Sequence, residues 1–210
     1  MHCFVITGPS GSGKTSLIKA LVAADQNLRF SVSCTTRPKR EGEVQGRDYY
    51  FIDRKKFEDL VAKNQMLEWA EVHGNLYGTP RAELAKAEAL FKQLVLDIDC
   101  AGAAQVREQD IDAHFIFVLV PSKEILERRL RNRKGDSDEE VERRLAAADE
   151  EMRQAELFGA WIENDKLEKA AHDLAGLIAL LRMKVRPDER RFRNRDLLNR
   201  VSSTFFTQPA

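Results

Sequence analysis

Residues 8–15 read Gly-Pro-Ser-Gly-Ser-Gly-Lys-Thr and follow directly on the apolar run Cys3-Phe4-Val5-Ile6-Thr7. No other feature constrains the chain so tightly. The apolar run reads as a short, fully buried strand, and Leu17, Ile18, Leu21 and Val22 then fall on one helical stripe. Between them, glycines let the backbone curl until several N–H groups point at one place, and the helix that follows adds its N-terminal partial positive charge there. The spacing G-x-x-x-x-G-K-[ST] is filled in full. Gly8, Pro9, Ser10, Gly11, Ser12, Gly13, Lys14 and Thr15 are therefore the candidate loop for a nucleoside triphosphate. Lys14 is expected to reach the β- and γ-phosphates, and the Thr15 hydroxyl to hold Mg²⁺. The motif specifies the phosphates of a nucleoside triphosphate; it does not specify a reaction.

Further buried strands are expected at Leu94–Leu96, ending at Asp97, and at Phe115–Val120, with helical patterns near 80–92 and 101–109. This alternation predicts an α/β chain with a parallel sheet and helices on both faces. Residues 30–79 differ. Strand-like pieces at Phe30–Cys34, Tyr49–Ile52 and Met66–Val72 surround one helical pattern over 53–63, which predicts a small mixed α/β insert. Ser137-Asp138-Glu139-Glu140 has the form of a capping box. Val141, Leu145, Ala148, Met152 and Ala155 then continue as an amphipathic helix, as do Leu167, Ala171, Leu174, Ile178 and Leu181.

The 210 residues suit one domain with an appendage, and 43% hydrophobic residues suffice for a core. No apolar run approaches the ~20 residues of a membrane helix, and the N-terminus lacks the pattern of a signal peptide. The 34 basic and 34 acidic residues balance, which argues against a nucleic-acid footprint over the whole protein. Residues 182–210 depart from that balance with eight Lys/Arg against three Asp/Glu. With Pro187 at its start, segment 185–210 is expected to be a basic, flexible tail, dispensable for chemistry. Cys3, Cys34 and Cys100 form neither a CxxC nor an even set, so a reducing cytoplasm is expected. The four histidines are scattered and predict no metal site, and Trp69 and Trp161 are expected in the core.

The second informative stretch is Thr35-Thr36-Arg37-Pro38-Lys39-Arg40-Glu41-Gly42-Glu43-Val44-Gln45-Gly46-Arg47-Asp48-Tyr49-Tyr50-Phe51. It fills every fixed position of T-T-R-x-x-R-x-G-E-x-x-G-x-D-Y-x-F, the hallmark of guanylate kinases. With the glycine loop upstream, and Glu68-Trp69-Ala70, Tyr77-Gly78 and Asp97-Ile98-Asp99 downstream, the chain resembles that family over about residues 3–181. The resemblance implies ATP as the nucleotide on the glycine loop and transfer of the ATP γ-phosphoryl to GMP, giving ADP and GDP, in purine nucleotide metabolism and GMP recycling. It also implies a P-loop NTPase core within 1–184, a GMP-binding insert at about 33–80 and a helical lid at about 131–144.

Carried over by motif position, Arg37, Arg40, Tyr49 and Tyr77 are expected to hold the acceptor phosphate; guanidinium forks and phenol hydroxyls are suited to phosphate oxygens. Ser33, Glu68, Thr79 and Asp99 are expected to face guanine, and Asp97 to stand near GMP and near Mg²⁺ through water. Both aspartates could instead cap the next helix. Lys14, Arg37, Arg133 and Arg144 are the candidate catalytic residues, the last two closing on the transferring phosphate from the lid. No general base is expected, because the GMP phosphate is already a nucleophile. One position departs from the family: Cys100-Ala101-Gly102 stands where the family shows x-Gln-Gly.

Two other readings remain open. One is a kinase-like protein-binding module without catalysis, against which Gly8, Gly13, Lys14 and Thr15 tell. The other is a related phosphokinase acting on a sugar phosphate, against which the arginine–tyrosine pattern and Glu68 tell.

Overall fold

Alternate residues of the first strand, β1 (Cys3–Thr7), enter two different cores. Cys3 and Val5 pack on one side, Phe4 and Ile6 on the other, and all four are fully buried. Such a strand needs neighbours on both edges and helices on both faces. It has them in this computed structural model, which describes residues 3–72, 74–132, 137–185 and 187–206. The five-stranded sheet runs β2 (Leu28–Phe30), β7 (Gln93–Asp97), β1, β8 (Ala113–Leu119), β9 (Ala160–Glu163), with every pairing parallel. One face is covered by α1 (Lys14–Ala24) and α7 (Leu167–Arg182), which bury Leu17, Ile18, Leu174 and Ile178. The other is covered by α4 (Cys100–Arg107), α5 (Lys123–Arg131) and α6 (Asp138–Arg153), which bury Val106, Leu126, Leu130 and Met152. The strand order reverses at β1, so a crevice opens at the carboxyl ends of β1 and β7, where ligands of open α/β sheets bind.

A second sheet of four strands runs β4 (Tyr50–Phe51), β3 (Cys34–Thr35), β6 (Asn75–Pro80), β5 (Met66–Val72), and its pairings are mixed. Helix α2 (Arg54–Ala62) closes a small core with Phe57 against Cys34, Met66 and Leu76. The helix begins where Asp53 Oδ1 accepts from Lys56 N, at 2.8 Å. The side-chain pattern suggests one strand of this insert over Phe30–Cys34, whereas the structure divides it. Ser31 N donates to Val95 O of the main sheet at 2.9 Å, while Ser33 O accepts from Tyr50 N of the second at 2.8 Å. The backbone changes sheets within three residues. Strand β9 is absent from the sequence reading; its four residues show no period of their own.

Ser137 caps α6 as expected, accepting from Glu140 N at 3.2 Å. The expectation of a flexible segment beyond 184 is corrected. Helices α8 (Glu189–Phe192) and α9 (Arg195–Phe205) follow Pro187, and Phe192, Leu198, Val201 and Phe205 are buried. Leu198, Val201 and Phe205 recur at helical spacing and join the core formed by α5 and α6. Thr204 Oγ1 accepts from Lys123 N, at the start of α5, at 3.0 Å. The arginines that make the segment look solvated are partnered: Arg195 with Glu156 at 2.9 Å and Arg200 with Glu163 at 2.6 Å. Residues 207–210 lie outside the described residues.

No described helix is long and apolar enough to cross a membrane. Truncation after Lys184 strips three buried side chains from the core beneath α5 and α6. At roughly 1.5–3 kcal/mol for each, the melting temperature is expected to fall by about 10 °C or more, as measured by thermal unfolding of the full-length and truncated chains.

Candidate active site

The glycine loop turns on close approaches that only glycine permits. A Cβ on Gly8, at φ +140°, would stand 2.4 Å from Val118 O. One on Gly13, at φ +84°, would stand 2.5 Å from Asn164 Nδ2. The space so kept is used from outside: Asn164 Nδ2 donates to Ser12 O at 2.7 Å, and Arg129 Nη2 donates to Asn164 O at 2.8 Å. The loop closes on itself where Ser12 N donates to Pro9 O at 3.0 Å. Helix α1 then starts with Gly13 at its N-cap, which has no side chain to satisfy the first-turn N–H groups. Those donors and the helix dipole remain available to an anion.

Lys14 folds back over the loop, its Nζ donating to Gly8 O and, at 3.1 Å, to Pro9 O. Thr15 Oγ1 donates to Asp97 Oδ2 at 2.6 Å. A hydroxyl and a carboxylate meeting beside a phosphate loop form a hard-oxygen pair of the kind Mg²⁺ takes together with water and phosphate oxygens. Among the described residues no group of three or more His, Cys, Asp or Glu could hold a metal by itself.

Ser10, Gly11, Gly13, Lys14 and Thr15 line a cavity of about 480 Å³ with Asp97, Asp99, Arg129 and Glu151. Arg129 and Glu151 are absent from the sequence reading. Each is one charge in a charge-rich helix, and no spacing singles it out. Glu151 Oε2 accepts from Ser10 N at 3.4 Å. Burial raises its pKa, against the opposing charge of Lys14.

Across Asp97 lies the second sheet. Glu68 on β5 is 7% exposed, so it is not a solvent-facing strand residue. Its carboxyl is pushed up to about 7, first by burial and further by the charge of Asp99, against a hydrogen bond from Thr79. The acid lies against α4. A Cβ on Gly102 would stand 3.0 Å from Glu68 Oε2, so a side chain there would press on the carboxyl. Gln105 of α4 grips the strand beside it, accepting from Trp69 N at 3.0 Å and donating to Trp69 O at 2.9 Å. Trp69 itself is 40% exposed, which corrects its expected place in the core, whereas Trp161 is buried. Ser33 Oγ lies 3.2 Å from Thr79 Oγ1. Asp99 caps α4, accepting from Gly102 N at 2.7 Å. It also lines a pocket of about 150 Å³ with Ser33, Tyr49, Glu68, Tyr77 and Asp97. Capping and lining are thus compatible roles for one carboxylate.

Arg37 is held in a fork by Glu43, with Nη2–Oε1 at 2.7 Å and Nη1–Oε2 at 3.1 Å, and lies 5.6 Å from the Tyr49 ring centre. Tyr49 and Tyr77 meet edge to face, 6.1 Å between ring centres. Arg40 is exposed, and its backbone N–H donates to Glu43 Oε2 at 2.7 Å. Arg144 is partly buried and donates to Glu140 on its own helix at 3.2 Å; it does not line the loop cavity. Arg133 lies outside the described residues.

A parallel sheet that carries a glycine loop and a helix N-terminus to one cavity defines a P-loop nucleotide-binding protein of the α/β class. Within that class the guanylate kinase family model matches residues 1–180, and the chain belongs to this family. It is 46% identical over 185 residues to a guanylate kinase of Nitrosomonas europaea, covering 88% of this chain and 92% of that one. It is 44% identical over 200 residues to a guanylate kinase of Methylobacillus flagellatus, covering 95% and 98%. The crystal structure of guanylate kinase from Anaplasma phagocytophilum superimposes with a TM-score of 0.67 at 30% identity, covering 93% of this chain and 92% of that one. The family match ends before α8, while the alignment to the Methylobacillus protein is longer by 20 residues.

The raised pKa of Glu68 carries a stability cost with a definite sign. At pH near 4 the folded and unfolded chains both hold the proton. Between the ordinary carboxyl range and about 7 the folded chain keeps a proton that the unfolded chain has released, so stability falls as pH rises. Glu68→Gln is therefore expected to raise the melting temperature at pH 8 and to change it little at pH 4, as read from thermal melts at the two pH values.

Proposed function

We propose that this protein transfers the γ-phosphoryl group of ATP to the 5′-phosphate of GMP, with Mg²⁺. One observation carries the reading. Asp97 lines the phosphate-loop cavity, the pocket of Glu68 and the cleft of about 560 Å³ that contains Thr15, Ser33, Glu43 and Tyr49. Donor and acceptor sites thus share one wall, as in-line transfer requires.

On the donor side the loop amides and the α1 N-terminus bind the phosphates of ATP, and Lys14 exchanges its carbonyl partners for phosphate oxygens. Thr15 and Asp97 would hold Mg²⁺, which when bound neutralises charge on the β- and γ-phosphates. On the acceptor side Arg37, Arg40, Tyr49 and Tyr77 hold the GMP phosphate. Arg37 then stands as a catalytic residue, because it neutralises the nucleophile beside the transferring group. Arg133 and Arg144, the latter on α6, close on that group and exclude water, a competing acceptor. The three cysteines, all free and buried, suit a reducing cytoplasm.

Guanine selection follows from Glu68. Guanine presents N1–H and N2–H₂ donors side by side, and one carboxylate accepts both. Adenine presents a bare N1 lone pair there, setting acceptor against acceptor in a buried site. Rejection on this ground can reach ~10⁴-fold. Ser33 and Thr79 supply hydroxyl donors to the O6 and N7 side, and Asp99 reinforces the amino contact.

Lys14→Met is expected to leave the melting curve unchanged and to lower turnover by on the order of 10²-fold or more; a folded variant within a few fold of the parent would remove Lys14 from the chemistry. A panel of nucleoside monophosphates tests the acceptor, with GMP expected to exceed AMP by orders of magnitude in kcat/KM. No preference among them would return the assignment to the sugar-phosphate or protein-binding readings.

The pH dependence gives a second handle on Glu68. Guanine binds the ionised carboxylate, so below pH 7 GMP must expel a proton from Glu68. GMP affinity is expected to rise with pH up to about 7 and then level off. Glu68→Gln weakens GMP binding and removes this limb, leaving only the titration of the GMP phosphate near pH ~6. Calorimetric titration of GMP into both proteins from pH 5.5 to 8.5 checks it.

A further inference from the structure

A fully buried carboxylate stands outside the residues so far assigned. Glu83, in the first turn of α3 (Ala82–Ala89), has no side-chain exposure. A charge in that position is tolerated only when its lone pairs are filled. Those of Glu83 are filled by four donors. Oε2 accepts from Arg29 Nη2 at 3.0 Å and from Val32 N at 3.1 Å. Oε1 accepts from Tyr50 OH at 3.1 Å and from Lys86 Nζ at 2.8 Å. Lys86 also donates to Tyr50 OH at 2.7 Å and stands 4.5 Å from the centre of its ring. Burial pushes the Glu83 carboxyl up, but the hydrogen bonds from Lys86 and Val32 and the charge of Arg29 outweigh it and hold the pKa below the usual range.

The donors come from four places in the fold. Arg29 lies on the edge strand of the main sheet, Val32 on the crossing into the second sheet, Tyr50 on the edge strand of that sheet, and Lys86 on α3. Glu83 itself follows Pro80, where the chain leaves the second sheet. One carboxylate thus ties the segment that enters the insert to the segment that leaves it.

The residue at the centre of these ties is Ser33. Its preceding neighbour is Val32, whose N–H is bound by Glu83. Its carbonyl accepts from Tyr50 N at 2.8 Å, and the hydroxyl of that same Tyr50 is bound by Glu83. Ser33 is therefore fixed from both sides by groups that Glu83 holds. Its Oγ meets Thr79 Oγ1 at 3.2 Å, and Thr79 is the hydrogen-bond partner of Glu68.

We propose that Glu83 is a positioning residue for acceptor specificity: through Val32 and Tyr50 it sets the Ser33 hydroxyl against Thr79, and so the guanine-facing edge of the site. The proposal rests on the reading of Ser33, Thr79 and Glu68 as guanine contacts. It predicts an effect confined to one of the two nucleotides. A loosened Ser33 weakens GMP and blunts its advantage over AMP, whereas the glycine loop is untouched.

Glu83→Gln keeps the size of the side chain but sets an amide N–H₂ against donors. Tyr50→Phe removes only the hydroxyl contact and spares the buried charge, so it is the milder variant. For Glu83→Gln we expect KM for GMP to rise about tenfold and the GMP/AMP ratio of kcat/KM to fall by a similar factor. KM for ATP and kcat at saturating GMP should stay within about twofold of the parent. Tyr50→Phe should move the same two quantities in the same direction by less. Thermal melts and calorimetric binding of ADP report on folding and on the loop independently of activity. If Glu83→Gln does not fold, the Tyr50→Phe shift alone decides.

A merely structural staple would lower the melting temperature and leave KM for GMP and the GMP/AMP ratio unmoved, which would overturn the proposal. So would an equal rise in the KM values of both nucleotides. A parent enzyme without GMP preference would instead sink the guanine assignment itself, and this proposal with it.

Discussion

The structure depends on where β1 is forced to end. Its side chains are fully buried in cores on both faces, so the strand cannot bend or stop until it leaves the sheet. It leaves at the carboxyl edge, and there the chain must turn within a few residues so that α1 can lie back over the sheet. Gly8 makes that turn against the backbone of Val118 on the adjacent strand. The loop's shape is thus dictated by the packing of the strand before it and the helix after it. Its anion-binding amides are a by-product of a turn too tight for side chains. Asp97 closes the adjacent strand β7 and reaches Thr15 by the same geometry. Of the two oxygens that suit Mg²⁺, that of Asp97 is therefore placed by a strand end and that of Thr15 by the first turn of α1.

How much of this was legible in the sequence follows from how local each feature is. The glycine loop and its flanking strand and helix are contiguous, so their pattern is complete within about 20 residues of sequence. The arginine–tyrosine segment is readable as a resemblance, although spacing alone does not tell that Arg37 is held by Glu43. The passage from Phe30 to Cys34 misled because side-chain pattern does not register a change of hydrogen-bonding partner from one sheet to another. Segment 187–206 misled for a different reason. Leu198, Val201 and Phe205 carry a helical period, but five arginines around them dominate composition, and Glu156 and Glu163, the acidic partners of Arg195 and Arg200, are far away in sequence. Glu83 and Glu151 were invisible on principle: a buried carboxylate on an amphipathic helix looks like a surface one until its donors are known.

The two charged centres of the acceptor side are built in opposite ways. Glu83 is saturated, with four donors on two oxygens, and its pKa is held down. Glu68 is nearly as buried but undersupplied, with Thr79 as its hydrogen-bond partner and Asp99 adding repulsion, and its pKa is raised to about 7. A saturated carboxylate is a structural anchor, since nothing is gained by a further donor. An undersupplied one is a vacancy in hydrogen-bonding terms, and a ligand offering two adjacent N–H groups relieves it. On the proposed guanine reading, the same burial makes one acid rigid and the other selective.

That contrast also accounts for where the fold tolerates instability. An acid that titrates near 7 inside a pocket destabilises the empty protein at neutral pH, and its ligand relieves the destabilisation only when its donors match. A ligand with a lone pair in place of N1–H repels the ionised carboxylate and is met only by the protonated form. On the proposed reading of Glu68 as the guanine contact, selectivity arises less from attraction to guanine than from a penalty built into the unliganded site. For such a penalty to act on the ligand rather than dissipate by local relaxation, the strands around it must not yield. The grip of Gln105 on Trp69 and the four-donor anchor at Glu83 hold β5, α4 and Ser33 against that relaxation.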